Sequence, residues 1–166
     1  MTKTNLFLLL SFLMAASLTG WFYYQLDHEV GEINYDGSLD DPAFELCDED
    51  RVQQDYSPVG ANYRGGKKAI EKEILDRLQE KLLFEGSGII TLRFVVNCNG
   101  ETGRFRIWAI DWKIQEKESI QEQIHIFKTS VAQLKHWEPG SWKEKKFDSY
   151  YQVNFKIKNG KITDIF

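Results

Sequence analysis

The chain has 166 residues, of which 42% are hydrophobic and 14% aromatic, with 2 Cys, 3 Pro and a formal net charge of −4. That fits one domain of ordinary size with a short remainder, and it excludes collagen-like, Pro/Gly-rich disordered and cysteine-dense scaffolds. The charge is unevenly placed: residues 25–50 hold ten acids and no Lys or Arg, whereas residues 51–166 hold a net +5. So mild a basic surplus, spread over many positions, argues against nucleic acid as a partner.

From Leu6 to Tyr24 run 19 residues without a charge. As a helix they rise about 28 Å, close to the thickness of a bilayer's hydrocarbon core. Lys3 precedes them and the acidic block follows, an asymmetry that keeps the start cytoplasmic and puts the bulk of the chain on the outer side. Trp21, Phe22, Tyr23 and Tyr24 make an aromatic group suited to a membrane interface. A signal peptide cut after Ala15–Ser17 is the alternative, although the four aromatics would make a poor mature start. Either way the remainder is exported. In an oxidising compartment Cys47 and Cys98 can pair; the other reading is two free buried thiols. Without nearby His or further Cys at ligand spacing they predict no metal site.

Residues 25–62 read as an acidic connector, punctuated by Gly31, Gly37, Pro42, Pro58 and Gly60 and lacking a sustained period. Within it only Glu45–Tyr56, with Leu46, Cys47 and Val52, looks able to pack on a domain. The sequence therefore divides into an anchor or signal segment over 1–24, a connector over 25–62 and a folded domain over 63–166.

After Gly65-Gly66 the run KKAIEKEILDRLQEKLLFE spaces Ile70, Ile74, Leu78 and Leu82 four apart, with Ala69, Leu75 and Leu83 widening the stripe, and predicts a core-facing helix ended by Gly86 and Gly88. The period then becomes two. Ile90, Leu92, Phe94, Val96 and Cys98 share one face of a strand, Asn99-Gly100 signals a turn, and Arg104–Trp112 returns with Phe105, Ile107 and Ala109 alternating with Arg104, Arg106 and Trp108. Arg93, Arg104 and Arg106 are thereby expected together on the outer side of one hairpin, as a solvated face or as a patch for an anionic partner. A second helix follows, with Ile120, Ile124, Phe127, Val131 and Leu134 as its stripe. Its His125 and His136 lack the spacing and third ligand of a zinc pair, so they read as surface and helix-end residues. Trp137-Glu138-Pro139-Gly140 ends it, and Trp142 opens a polar turn towards Asp148. The last long strand, SYYQVNFKIK, puts Tyr151, Val153, Phe155 and Ile157 on one face and Tyr150, Gln152, Asn154 and Lys156 on the other. Asn159-Gly160 turns it into KITDIF. The predicted fold is α+β: an antiparallel sheet with two helices on one face, in the order α-β-β-α-β-β, preceded by one transmembrane helix.

Tyr63, Gly65-Gly66, Ala69-Ile70, the run GIITLRFVVNCNGETG, a long helix, W-x-P-G at 137–140 and YYQVNFKIKNGKI together resemble the C-terminal domain of TonB proteins. The likeness is nearer to short TonB-like envelope proteins of Gram-negative bacteria, and it spans about residues 50–166 together with the amino-terminal anchor. It implies a periplasmic domain, held at the inner membrane, that binds the TonB box of an outer-membrane receptor by adding it as a strand to a sheet edge. The last two strands are the expected edge, with Tyr150, Gln152, Asn154 and Lys156 flanking the peptide; such lysines also guard edges against aggregation. Two family traits are missing. There is no long Pro-rich spacer, and Leu6–Tyr24 holds no His to couple to a proton-driven motor, with His28 lying beyond it. A structural or inhibitory envelope module on the same scaffold is the alternative.

Catalysis is not expected, for no G-x-S-x-G, H-E-x-x-H or P-loop occurs, and Asp111, the one acid in an apolar run, reads as a strand end. No cofactor and no small-molecule substrate is implied. The expected partner is an outer-membrane receptor or another envelope protein.

Overall fold

The computed structural model describes residues 3–29, 31–78, 87–110 and 118–166, with 25–29, 110 and 118–124 described as backbone. The chain forms two compact units, Met1–Asn34 and Tyr35–Phe166. In the first, helix α1 (Lys3–Glu29) carries the apolar run, and its Lys3–Tyr24 stretch is long and apolar enough to cross a membrane by length and composition, as a signal sequence also would be.

The second unit is mixed helix and sheet. A two-residue strand β1 (Asn62–Tyr63) leads into helix α2 (Gly66–Leu78), then strands β2 (Gly88–Val96) and β3 (Thr102–Ile110). Helix α3 (Glu118–Ala132), the short strands β4 (Trp137–Glu138), β5 (Gly140–Trp142) and β6 (Lys145–Phe147), and the longer β7 (Ser149–Lys158) and β8 (Lys161–Ile165) follow. The main sheet is antiparallel in the order β3-β2-β7-β8, while β1 pairs with β4 and β5 with β6 as separate ribbons. Leu82, Leu83, Gly86, Asp111, Trp112 and the side chains of Ile120 and Ile124 lie outside the described residues.

Periodicity explains the core. Ile70, Ile74 and Leu78 of α2 and Phe127 and Val131 of α3 share one buried cluster with Ile90, Leu92, Phe94 and Val96 of β2 and with Val153, Phe155 and Ile157 of β7. Phe94 is its hub, with ring centroids 5.2 Å from Phe105, 5.3 Å from Trp137 and 5.8 Å from Tyr151. Tyr63 stands edge-on to Trp137 and donates its hydroxyl to Glu73 Oε1 at 2.9 Å. Burial first, and that acceptor second, push the Tyr63 phenol up to about 12.

One irregularity re-aims a strand. The β2–β3 register slips between Arg93 and Val95, and opposite the slip Arg104 takes a positive φ of 52°, a β-bulge. Strict alternation would set Gly103 and Phe105 on one face. The bulge instead puts Gly103 beside Val95, on the face away from the helices.

Candidate functional site

That far face is where the acidic segment goes. Expected as a connector as far as residue 62, the chain from Tyr35 onward belongs to the folded unit. It runs across the sheet as a strap. Phe44 lies against Gly103 so closely that a Cβ there would sit 2.2 Å from the ring. Asp36, Ser38 and Asp40 form a tight turn, in which the Asp36 N–H donates to Asp40 Oδ2 at 2.8 Å. That turn presents the Asp40 carboxylate to Arg106, which donates Nη1 and Nη2 to its two oxygens at 2.7 and 2.8 Å. Arg104, only 7% exposed, makes a second forked pair with Glu49. Arg93 donates to Gln54 Oε1 at 3.2 Å and stacks 4.8 Å above the Tyr150 ring. The three arginines do share a face, but it is not a solvated one, and the strap supplies Arg104 and Arg106 with acidic partners from within the chain.

The Asp40–Arg106 pair gives a prediction for acid. Burial alone would push the Asp40 carboxyl up, but the bonds from Arg106 and the Asp36 N–H, with the charges of Arg106 and Arg104, outweigh it and hold it below the usual carboxylate range. A group whose folded pKa is depressed contributes stability above its unfolded value near 3.8, and loses it as pH falls through the folded one. Asp40→Asn should therefore weaken the fold at neutral pH and flatten its loss of stability below about pH 4. Denaturant midpoints across that range check this; a parallel displacement of the two curves would refute it.

A junction at the foot of β7 fastens the strap. Cys47 and Cys98 form the expected disulfide, with Cα atoms 6.1 Å apart. Buried beside it, Asp148 accepts the Cys47 and Asp48 N–H groups on Oδ2 and the Cys98 N–H on Oδ1, each at 2.8 Å. Cys47, Cys98 and Asp148 are also the one close grouping of His, Cys, Asp and Glu ligand atoms among the described residues. With both sulfurs in a disulfide there is no thiolate to offer a metal. Beyond the junction, Gln53 makes a parallel bridge to Ser149: its N–H donates to the Asp148 carbonyl and its carbonyl accepts from Tyr150, both at 2.8 Å.

This bridge bears on the strand pair expected at the edge. β8 is an edge strand, but β7 is not: β2 pairs along its whole length on one side, and β8 pairs with Phe155–Lys158 on the other. Of the four residues expected to flank a peptide, Tyr150 is buried under Arg93, Asn154 accepts from Thr91 Oγ1 at 2.9 Å and from Gln152 Nε2 at 3.1 Å, and Lys156 is exposed. The β8 side of β7 is nevertheless interrupted. Gln53 takes the Tyr150 N–H, and Phe166 exchanges two bonds with Asn154 at 2.8 and 2.9 Å. Strand alternation aims the peptide groups of Gln152 at the same side, between these two neighbours, where no strand pairs among the described residues. A shallow apolar hollow lies at that gap, lined by Ile70, Tyr151, Val153, Ile165 and Phe166, with Lys67 at its side.

His125 and His136 are both exposed; His136 sits beyond the end of α3, edge-on to Tyr63 at 6.1 Å. Of the features missed from sequence, the strap had one usable signal, seven acids and no Lys or Arg between residues 35 and 50, two of which, Asp40 and Glu49, meet Arg106 and Arg104.

Fold and site define a class: an α+β domain carrying an acidic strap clamped by a disulfide, preceded by an apolar helix of membrane-spanning length. Comparison with known proteins takes the description no further, since no family model, curated protein or solved structure matches the chain.

Proposed function

We propose that this protein is a membrane-anchored, periplasmic peptide-binding module of the TonB-C-like kind, which takes up an extended segment of an outer-membrane receptor or another envelope protein by strand addition. The observation that carries this reading is the gap in pairing at Gln152, with an apolar hollow beside it. One residue of an extended peptide pairs there with the Gln152 N–H and C=O, and an apolar side chain on the residue next to it, which points to the opposite face, fills the hollow between α2 and the end of β8. The apolar helix and the disulfide support anchoring and export, and the order of motifs from Tyr63 to Ile162 supports the family likeness. No motor coupling is proposed, because the apolar run has no His, Asp, Glu, Lys or Arg.

Amide NMR of the full chain in detergent micelles, titrated with TonB-box peptides, tests this. Expected are shifts at Tyr150–Asn154 and Ile165–Phe166, new protection of the Gln152 amide, and loss of both in Gln152→Pro, which removes the donor on the open side. No shift at millimolar peptide, or shifts confined to the other edge strand β3, would overturn the assignment. One observation favours a second reading, a structural or inhibitory module: the strap already occupies the neighbouring position on β7 through Gln53. On that reading a deletion strain shows altered envelope integrity with unchanged receptor-dependent uptake.

A further inference from the structure

The β5–β6 ribbon is unused by the proposed peptide site, and its turn is built unlike that of the β7–β8 hairpin. The β7–β8 hairpin reverses through Asn159 and Gly160 at φ of 50° and 77°, residues that tolerate the left-handed region at little cost. β5–β6 makes the same kind of reversal through Lys143 and Glu144 at φ of 47° and 68°. Long charged side chains gain nothing from that backbone geometry, which makes the turn a place to look for a role of its side chains.

The base of the ribbon is fixed while its tip is bare. Gly140 leaves no room for a Cβ, which would lie 2.5 Å from the Val59 carbonyl and 2.6 Å from Ser149 Oγ, and Phe147 runs directly into the clamped Asp148. Trp142, by contrast, is 59% exposed. The pairing Trp142↔Lys145 and Gly140↔Phe147 puts both aromatics on one face, with Lys145 over Phe147 at 5.6 Å and Lys143 over Trp142 at 5.9 Å. Lys146 is exposed on the opposite face, and none of the three lysines makes an ion pair among the described residues. The result is an exposed indole on a ribbon whose base is packed, with Lys143 over its ring, Lys145 paired across from it, Lys146 on the opposite face and Glu144 the one acid at the tip.

We propose that this tip, Trp142 with Lys143, Lys145 and Lys146, docks on an anionic lipid surface, the lysines meeting headgroup phosphates and the indole entering the interface. The choice of lipid over a soluble polyanion rests on the anchoring reading of the apolar helix, which tethers the domain to a membrane. The test mixes the full chain with vesicles of phosphatidylcholine, with or without phosphatidylglycerol, and reads hydrogen exchange at Trp142–Lys146. With the anionic lipid, exchange at the tip should slow on the order of tenfold, the protection disappearing at high salt and in K143Q/K145Q/K146Q. The triple variant should keep wild-type exchange with phosphatidylcholine alone, which shows that its ribbon still forms. Trp142→Ala should retain salt-sensitive binding with weaker protection. Unchanged exchange on the anionic vesicles overturns the proposal, as does protection that survives in the triple variant or that soluble polyphosphate gives but vesicles do not. Flotation with phosphatidylcholine vesicles reports the apolar helix alone, so failure of anchoring is distinguishable from failure of docking.

Discussion

Replacing both half-cystines, as Cys47→Ser with Cys98→Ser, should lower the thermal unfolding midpoint of the 35–166 unit by about 15 °C. The two residues are 51 apart in sequence, and closing a loop of that length removes chain entropy from the unfolded state equivalent to about 4 kcal/mol. For a domain of this size, each kcal/mol displaces the midpoint by roughly 4 °C. Serine is a fair replacement because Cys47 is exposed and Cys98 half-buried, so neither hydroxyl is forced into an apolar core. The loss should also be local. The disulfide is the covalent tie between strap and sheet, so amides of the strap from Cys47 to Gln54 should open to exchange more than those of β2 and β7. Near-ultraviolet dichroism melts and hydrogen exchange on the full chain check both parts. A midpoint change under about 5 °C would mean that the strap's ion pairs already restrict the unfolded chain, leaving the covalent tie little entropy to remove.

The elements that could be read from sequence are those whose information is local. Ile70, Ile74 and Leu78 announce α2 by their spacing, and Ile90 to Val96 announce β2 by alternation, because burial of one face imposes a period. Asn159-Gly160 marks its turn because the backbone there needs positive φ. What escaped the sequence reading depends on partners far along the chain. Asp40 meets Arg106 across 66 residues and Glu49 meets Arg104 across 55, and no period records such pairings. The interior position of β7 was equally hidden: a half-buried strand alternates in the same way whether it lies at an edge or between neighbours. The β5–β6 ribbon was missed for the opposite reason. Its turn lacks the Asn or Gly that usually betrays one, and Lys143-Glu144 reads as any polar loop. As for the candidate site, Gln152 is in sequence only one of four residues along a strand face; the gap that singles it out is made by Gln53 and Phe166, which approach from elsewhere in the chain.

Asp148→Asn should destabilise the fold by about 2–4 kcal/mol, a large effect for a substitution that changes one atom's chemistry and almost no volume. The carboxylate is acceptor-only, and it faces three donors: the Cys47 and Asp48 N–H groups on one oxygen and the Cys98 N–H on the other. An amide must set its NH₂ against at least one of them, leaving a buried N–H without an acceptor beside a second donor. Because the disulfide holds the same residues, the two effects should not add. In the serine background the strap can open and hydrate its amides, so the cost of Asp148→Asn should shrink by about 1 kcal/mol or more in a double-mutant cycle. Strict additivity would show that the carboxylate and the disulfide stabilise separate parts of the unit. The same variant probes the proposed function. Gln53 donates to the Asp148 carbonyl and holds the Tyr150 N–H, so loosening this junction should release Gln53 and lengthen the open stretch of β7 from Gln152 back to Tyr150. Peptide titrations of Asp148→Asn should then show tighter binding than the parent chain, with shifts extending to Tyr150. Weaker binding would instead make the strap a fixed wall of the site, whose position the peptide requires.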